Sequence, residues 1–281
     1  MGLVKRVAAV VVPLGLVVGG VAYGVSRHGS SDDKTLGECR TRVDGLTVVL
    51  TDEQARNASL IAAISVRRGM PAHAATIAIA TALQESRLYD LRGGDRDSLG
   101  LFQQRPSQGW GTRAQVLDPV HATNAFYDAL EKVPGWQSLA VTRAAQEVQR
   151  SGFPTAYAVY ERDARALASA LTGYSGAAFW CHLPTPTGSA PPVSRSAVDV
   201  RGSLSPAFGP VQVSVGGDGR LAVPAASRPR GWALASYLVS HASQLGVSTV
   251  AYAGREWSAG DDHGWTASSG GGSADAVLVG L

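Results

Sequence analysis

Cysteine is nearly absent: two in 281 residues, with no CxxC, HExxH or other metal-ligand spacing around them. That excludes a disulfide-rich scaffold and gives no sign of a metal centre or organic cofactor. A strong charge surplus is also missing. The formal net charge is +3, and no basic run with interleaved aromatics occurs, so nucleic acid is not an expected partner. There is no internal repeat to build a solenoid. The remaining balance, 45% hydrophobic and 17% charged, is that of a globular chain long enough for one large or two ordinary domains.

The N-terminus does carry a long apolar run. Lys5 and Arg6 precede Val7 to Val25, 19 residues without a charge, and Arg27 and His28 follow. As a helix this spans roughly 28 Å, close to the hydrocarbon thickness of a bilayer. The reading is a cytoplasmic stub at 1–6, a transmembrane signal anchor at 7–25 and a polar spacer at 26–38. The bulk of the chain is then extracytoplasmic and tied to the cytoplasmic membrane through that helix. The alternatives are secretion after signal cleavage and a buried core helix. In an exported chain Cys39 and Cys181 are most simply one disulfide, closing a loop of about 140 residues and marking a domain of 39–182. Two unrelated buried thiols are the other possibility.

Within 39–182 the pattern is mainly helical. Thr51 and Gln54 make a capping box before a helix that stops near Gly69, and Pro71 opens the next, through Ala74 to Glu85. Residues 90–100 are turn-rich and could hold a small hairpin. Helical segments resume over 119–130, 139–150 and 156–171. A Pro/Ser/Thr-rich linker at 183–196 precedes a smaller α+β region, 197–281. The expected fold class is thus a mainly α domain followed by a small α+β domain, with an N-terminal transmembrane helix.

Glu85 is the residue out of place. The helix before it is apolar on nearly every face, as a helix in the middle of a domain is. Its negative end and the neighbouring core both disfavour a carboxylate, so the acid should keep its proton closer to neutral pH. A protonated acid is what glycosidic cleavage needs. A glutamate at a helix end that simply faces solvent is the bland alternative.

Glu85-Ser86, then Ser98, then Gly100-Leu101-Phe102-Gln103 resembles the signature of the lysozyme-like lytic transglycosylases. The resemblance extends more weakly to 118–130 and 144–171, covering about half of the chain. It implies a lysozyme-like domain acting on peptidoglycan glycan strands. Glu85 would be acid and then base, and Ser98 and Gln103 would lie in the sugar cleft. Tyr89, Trp110 and Tyr127 could stack on sugar rings or belong to the core. The sequence departs from the family in the aspartates Asp90, Asp95 and Asp97. Asp95 or Asp97 could be a second carboxylate that activates water, making the enzyme an inverting muramidase; turn formation beside Gly93 and Gly94 is the alternative.

Residues 231–281 resemble, loosely, a degenerate D-Ala-D-Ala carboxypeptidase-like C-terminal domain. Ala276 and Leu278 stand where that family has zinc-binding histidines, and His241 and His263 are misplaced to replace them. The module would then bind or pack, with no metal. The overall expectation is an exported peptidoglycan-cleaving enzyme. The rival is a non-catalytic wall-binding or scaffold protein on the same fold.

Overall fold

A two-residue turn, Asp44-Gly45, with φ of 49° and 77°, folds the first described residues into a hairpin. Positive φ at both positions matches the right-handed twist of the strands that flank it. The strands are β1 (Glu38–Val43) and β2 (Leu46–Thr51). The computed structural model describes residues 37–150, 155–183, 196–268 and 274–281, all inside one compact unit, Lys34–Leu281. Six helices follow: α1 (Asp52–Arg67), α2 (Ala72–Ser86), α3 (Arg113–Val116), α4 (Pro119–Leu130), α5 (Val141–Gln149) and α6 (Glu161–Leu171). Strand β3 (Phe179–His182) returns to the free edge of β1, giving the order β2-β1-β3. Cys39 stands opposite Cys181 in that pairing, and the two form a disulfide.

The second region continues with α7 (Ala197–Phe208), β4 (Ser214–Val215), β5 (Leu221–Pro224), α8 (Arg228–Ser240), α9 (Ala242–Leu245), β6 (Thr249–Tyr252), β7 (Arg255–Ser258), β8 (Thr266–Ala267) and β9 (Ala276–Gly280). Its six strands run β4-β5-β9-β6-β7-β8 with every pairing antiparallel.

Two helices anchor the core. Helix α2 is enclosed by α1, α4, α5 and α6, so its residues from Ala74 to Leu83 are all buried. Helix α8 lies against α1, α6, β3 and β6, and its residues from Gly231 to Ser240 are likewise buried. One continuous apolar cluster therefore runs through both regions. Polar ties cross with it. The Ser59 and Ser240 hydroxyls are 2.7 Å apart, and the Trp257 and Trp265 indoles donate to the Cys181 and Phe179 carbonyls at 2.8 and 2.6 Å. Each satisfies a polar group that would otherwise be buried bare, at a cost of roughly 1–3 kcal/mol.

The expected fold class needs correction. The first region is not mainly α: a three-stranded sheet closes it, and with the six-stranded sheet the described chain is α+β throughout. The Asp-Gly turn between alternating residues produces that first sheet. The expected membrane span, 7–25, lies outside the described residues; among the described residues no helix is long and apolar enough to cross a membrane. Linker residues 184–195 also lie outside them. Residues 90–100 form no hairpin, only an isolated bridge between Leu99 and Gln104. The Pro119–Leu130 helix and the Thr51–Gln54 capping box form as expected. Residues 156–171 divide into a 3-10 turn, 156–160, and α6.

Candidate active site

Glu85 is the penultimate residue of α2, half-buried where the helix leaves the core. The Tyr157 hydroxyl, on the 3-10 turn before α6, donates to its Oε1 at 2.9 Å. The Gln149 amide, at the end of α5, also hydrogen-bonds this carboxyl and donates to the Phe102 carbonyl at 2.8 Å. Burial pushes the Glu85 acid above the ordinary glutamate range, and the two hydrogen bonds, which favour the anion, offset only part of that. A carboxyl so placed can give a proton and take one back.

The turn after Glu85 is held in an unusual shape. Arg87 and Leu88 both take left-handed φ, 57° and 64°. Two α1 amides hold this turn, Gln54 donating to the Arg87 carbonyl and Asn57 to the Leu88 carbonyl, each at 2.8 Å. Ser86 then fixes the next loop: its hydroxyl donates to the Leu101 carbonyl at 2.7 Å. Phe102, fully buried, stacks on Phe126 with ring centroids 4.7 Å apart. The segments Glu85-Ser86 and Gly100–Gln103 are thus one hydrogen-bonded unit.

Gln103 also has left-handed φ, 47°, a conformation that costs a side chain on the order of 1 kcal/mol. Its amide donates to the Gly100 carbonyl at 3.2 Å and lies against Gly94. A Cβ at Gly94 would come 1.7 Å from the Gln103 side-chain oxygen, so that glycine makes room for the amide rather than shaping a hairpin. Ser98 is buried in the same loop.

The remaining sequence candidates separate. Trp110 lines a cleft of about 620 Å3 with Gln149, Arg150 and Lys132; Glu85 itself is not in that lining, and Gln149 is the residue common to both. Tyr127 is fully buried, and its hydroxyl donates to the Ile61 carbonyl at 3.0 Å, so it is core. The Tyr89 hydroxyl is 3.3 Å from that of Thr51, at the start of α1. Asp97 is bound up in its loop: Arg105 donates to it at 2.7 Å, and the Ser107 amide and hydroxyl at 2.8 and 3.0 Å. The Arg105 guanidinium and those Ser107 bonds hold it well below the usual carboxylate range. The Asp95 side chain is 93% exposed, 3.9 Å from Arg96. Asp90 differs from both. One of its oxygens is buried without a partner, and burial, then the Glu53 carboxylate, push its acid upward.

Residues 218–278 match the family model described as VldE, C-terminal domain. The match covers about a fifth of the chain, from the residues before β5 into β9, and includes neither Glu85 nor the 90–104 loop. No curated protein matches this chain.

Within that matched segment, Ala276 and Leu278 lie on β9, paired between β5 and β6, while Val277 and Val279 point into the core. His241 ends α8 in the core and His263 is exposed in the β7–β8 loop. Among the described residues no group of three or more His, Cys, Asp or Glu is placed to hold a metal ion.

Tyr157 and Gln149 are the residues that sequence reading missed. They are 72 and 64 positions from Glu85, on different elements, and no local spacing marks either.

Proposed function

We propose that this chain cleaves the MurNAc–GlcNAc β-1,4 bond of peptidoglycan in the manner of a lytic transglycosylase. The observation that carries the reading is Glu85, a carboxyl with raised proton affinity between Tyr157 and Gln149 at the end of a buried helix. Its proton passes to the bridging oxygen as the glycosidic C1–O bond breaks. The substrate's own acetamido oxygen supports the positive charge at C1. The resulting carboxylate then removes the proton from the MurNAc O6 hydroxyl as that oxygen closes on C1, leaving a 1,6-anhydro end.

The cleft that shares Gln149 with this site offers an aromatic surface, Trp110, and charges of both signs, Lys132, Arg150 and Glu147. The Asp97 arrangement favours the lyase over an inverting muramidase, because that carboxylate is committed to Arg105 and Ser107. The Asp95 side chain is almost fully exposed, with Arg96 at 3.9 Å its one ion-pair contact among the described residues. The Cys39–Cys181 disulfide supports an extracytoplasmic setting, where such bonds persist.

The test is incubation of the purified protein and its Glu85→Gln variant with sacculi, with soluble products read by mass spectrometry. Anhydro-muropeptides from the wild type alone are the expected result. Reducing-end muropeptides would replace the lyase with a muramidase. Binding to sacculi without products from either protein would leave a wall-binding protein and overturn the enzyme.

A further inference from the structure

A second cavity, of about 480 Å3, lies where the loop after α6 meets the first turn of α8 and the β6–β7 turn. It shares no lining residue with the cleft beside Gln149. Its walls are fixed by close approach. A Cβ on Gly173 would sit 1.9 Å from the Pro229 carbonyl oxygen, and one on Gly176 2.5 Å from the Trp232 indole nitrogen. Two more lining residues, Ala177 and Ala253, hold left-handed φ of 56° and 50°. Alanine adopts that conformation only under strain, and strain of this kind gathers at ligand sites.

The polar lining is of one sign. Arg228 and Arg255 both border the cavity and both are exposed. Among the described residues neither has a carboxylate within ion-pair distance, whereas Arg56, Arg68, Arg105, Arg165 and Arg220 all do. The floor is aromatic: Trp232, 5% exposed, is wedged edge-on against Tyr252 and Trp265. At the rim Tyr174 leaves 68% of its surface in solvent, which is unusual for so large a ring.

We propose that this cavity binds a small phosphorylated ligand, its phosphoryl group between Arg228 and Arg255 and its sugar ring against Tyr174. Two guanidiniums without an ion-pair partner among the described residues match a group carrying about −1.5 to −2 charges, and their planar forks suit phosphoryl oxygens. A single carboxylate would leave one cation uncompensated.

Isothermal titration calorimetry with glucose 1-phosphate, inorganic phosphate and citrate tests the proposal. The wild-type protein should bind one glucose 1-phosphate. Arg228→Gln and Arg255→Gln should each weaken it about tenfold or more, with unchanged thermal melts because both side chains are on the surface. Tyr174→Ala should weaken glucose 1-phosphate and leave inorganic phosphate as it was. No binding of either phosphate, or binding indifferent to both arginine variants, would overturn the site. Citrate bound as tightly as glucose 1-phosphate would overturn the phosphoryl assignment. Retention on phosphatidic-acid vesicles without binding of the soluble ligand would overturn the sugar. Glu85→Gln should bind glucose 1-phosphate as the wild type does, so this result is independent of the glycosidase reading.

Discussion

Helices α2 and α8 are built alike and end differently. Each is buried along ten consecutive residues, and each delivers a titratable side chain at its C-terminal end: Glu85 from α2, His241 from α8. Burial drives both toward the neutral form. It raises the Glu85 acid, and it lowers His241 to about 3, helped by the nearby Arg56 charge. The surroundings then part. The His241 ring stacks on Tyr237 at 3.9 Å, and its Nδ1 lies 2.9 Å from the Tyr237 carbonyl and 3.0 Å from the Ser240 hydroxyl, enclosed by the core. Glu85 stays half-exposed, and its neighbour Gln149 borders a cleft. Burial perturbs an ionisation wherever it occurs. In the proposed reaction only the end that stays open to solvent, Glu85, can pass a proton to a substrate.

The hardest test of that contrast is Glu85→Gln. If Glu85 is the proton donor of the proposed reaction, muropeptide release measured by mass spectrometry should fall by about 10³-fold. The corresponding change at the other helix, His241→Phe, should leave release near the wild-type rate. If His241→Phe also abolished release in a folded protein, the two ends would not differ as described.

The next effect is on stability. The unfolded chain takes up a proton at an ordinary histidine, while folded His241 resists until about pH 3. The unfolded state therefore binds more protons between those values, and stability falls as pH drops through that window. From pH 7 to pH 4 the loss from this group should be on the order of 3 kcal/mol, read from urea titrations. His241→Phe should flatten the slope. An unchanged slope would mean that this imidazole is not sealed.

Tyr157→Phe probes the hydrogen bond that distinguishes the Glu85 end. Release should fall about tenfold as the carboxyl loses its position. The bond favours the carboxylate, so its loss raises the acid further, and the alkaline limb of the pH–rate profile should move to higher pH. A fall in rate with no movement of that limb would make Tyr157 a packing residue.

The smallest effect has the opposite sign. Because folded Glu85 holds its proton more tightly than the unfolded chain does, stability declines as pH rises above the ordinary glutamate range. Glu85→Gln should melt about 2 °C higher than the wild type at pH 7. At pH 4 and below the gain should vanish. A variant that loses stability at pH 7 would show that the ionised carboxylate is a net favourable partner.

Some of this molecule was legible in residues taken a few at a time. The Thr51 and Gln54 capping box marks the start of α1, and the unbroken apolar face of α2 marks a central helix. The Asp44-Gly45 pair between alternating residues is an equally local signal for the first hairpin, and a mainly helical 39–182 leaves it out. Other local signals pointed the wrong way. Gly93 and Gly94 suggested a hairpin, yet Gly94 is small because the Gln103 amide needs its place. Tyr89, Trp110 and Tyr127 were indistinguishable by type, and only folding sends Tyr127 to the core and Trp110 to the cleft.

What the sequence determined by itself was therefore local and compositional: the buried helix, the carboxyl at its unfavourable end and the pair of cysteines. Caps and turns are set by neighbouring residues, so they can be read there. What only the tertiary structure decided was the company that carboxyl keeps. Tyr157 and Gln149 meet Glu85 because α5, the 3-10 turn and α2 pack on one another. Apolar burial drives that packing without naming partners, so side chains more than sixty residues apart are matched by shape and by the need to satisfy buried polar groups. No spacing in the chain records that match.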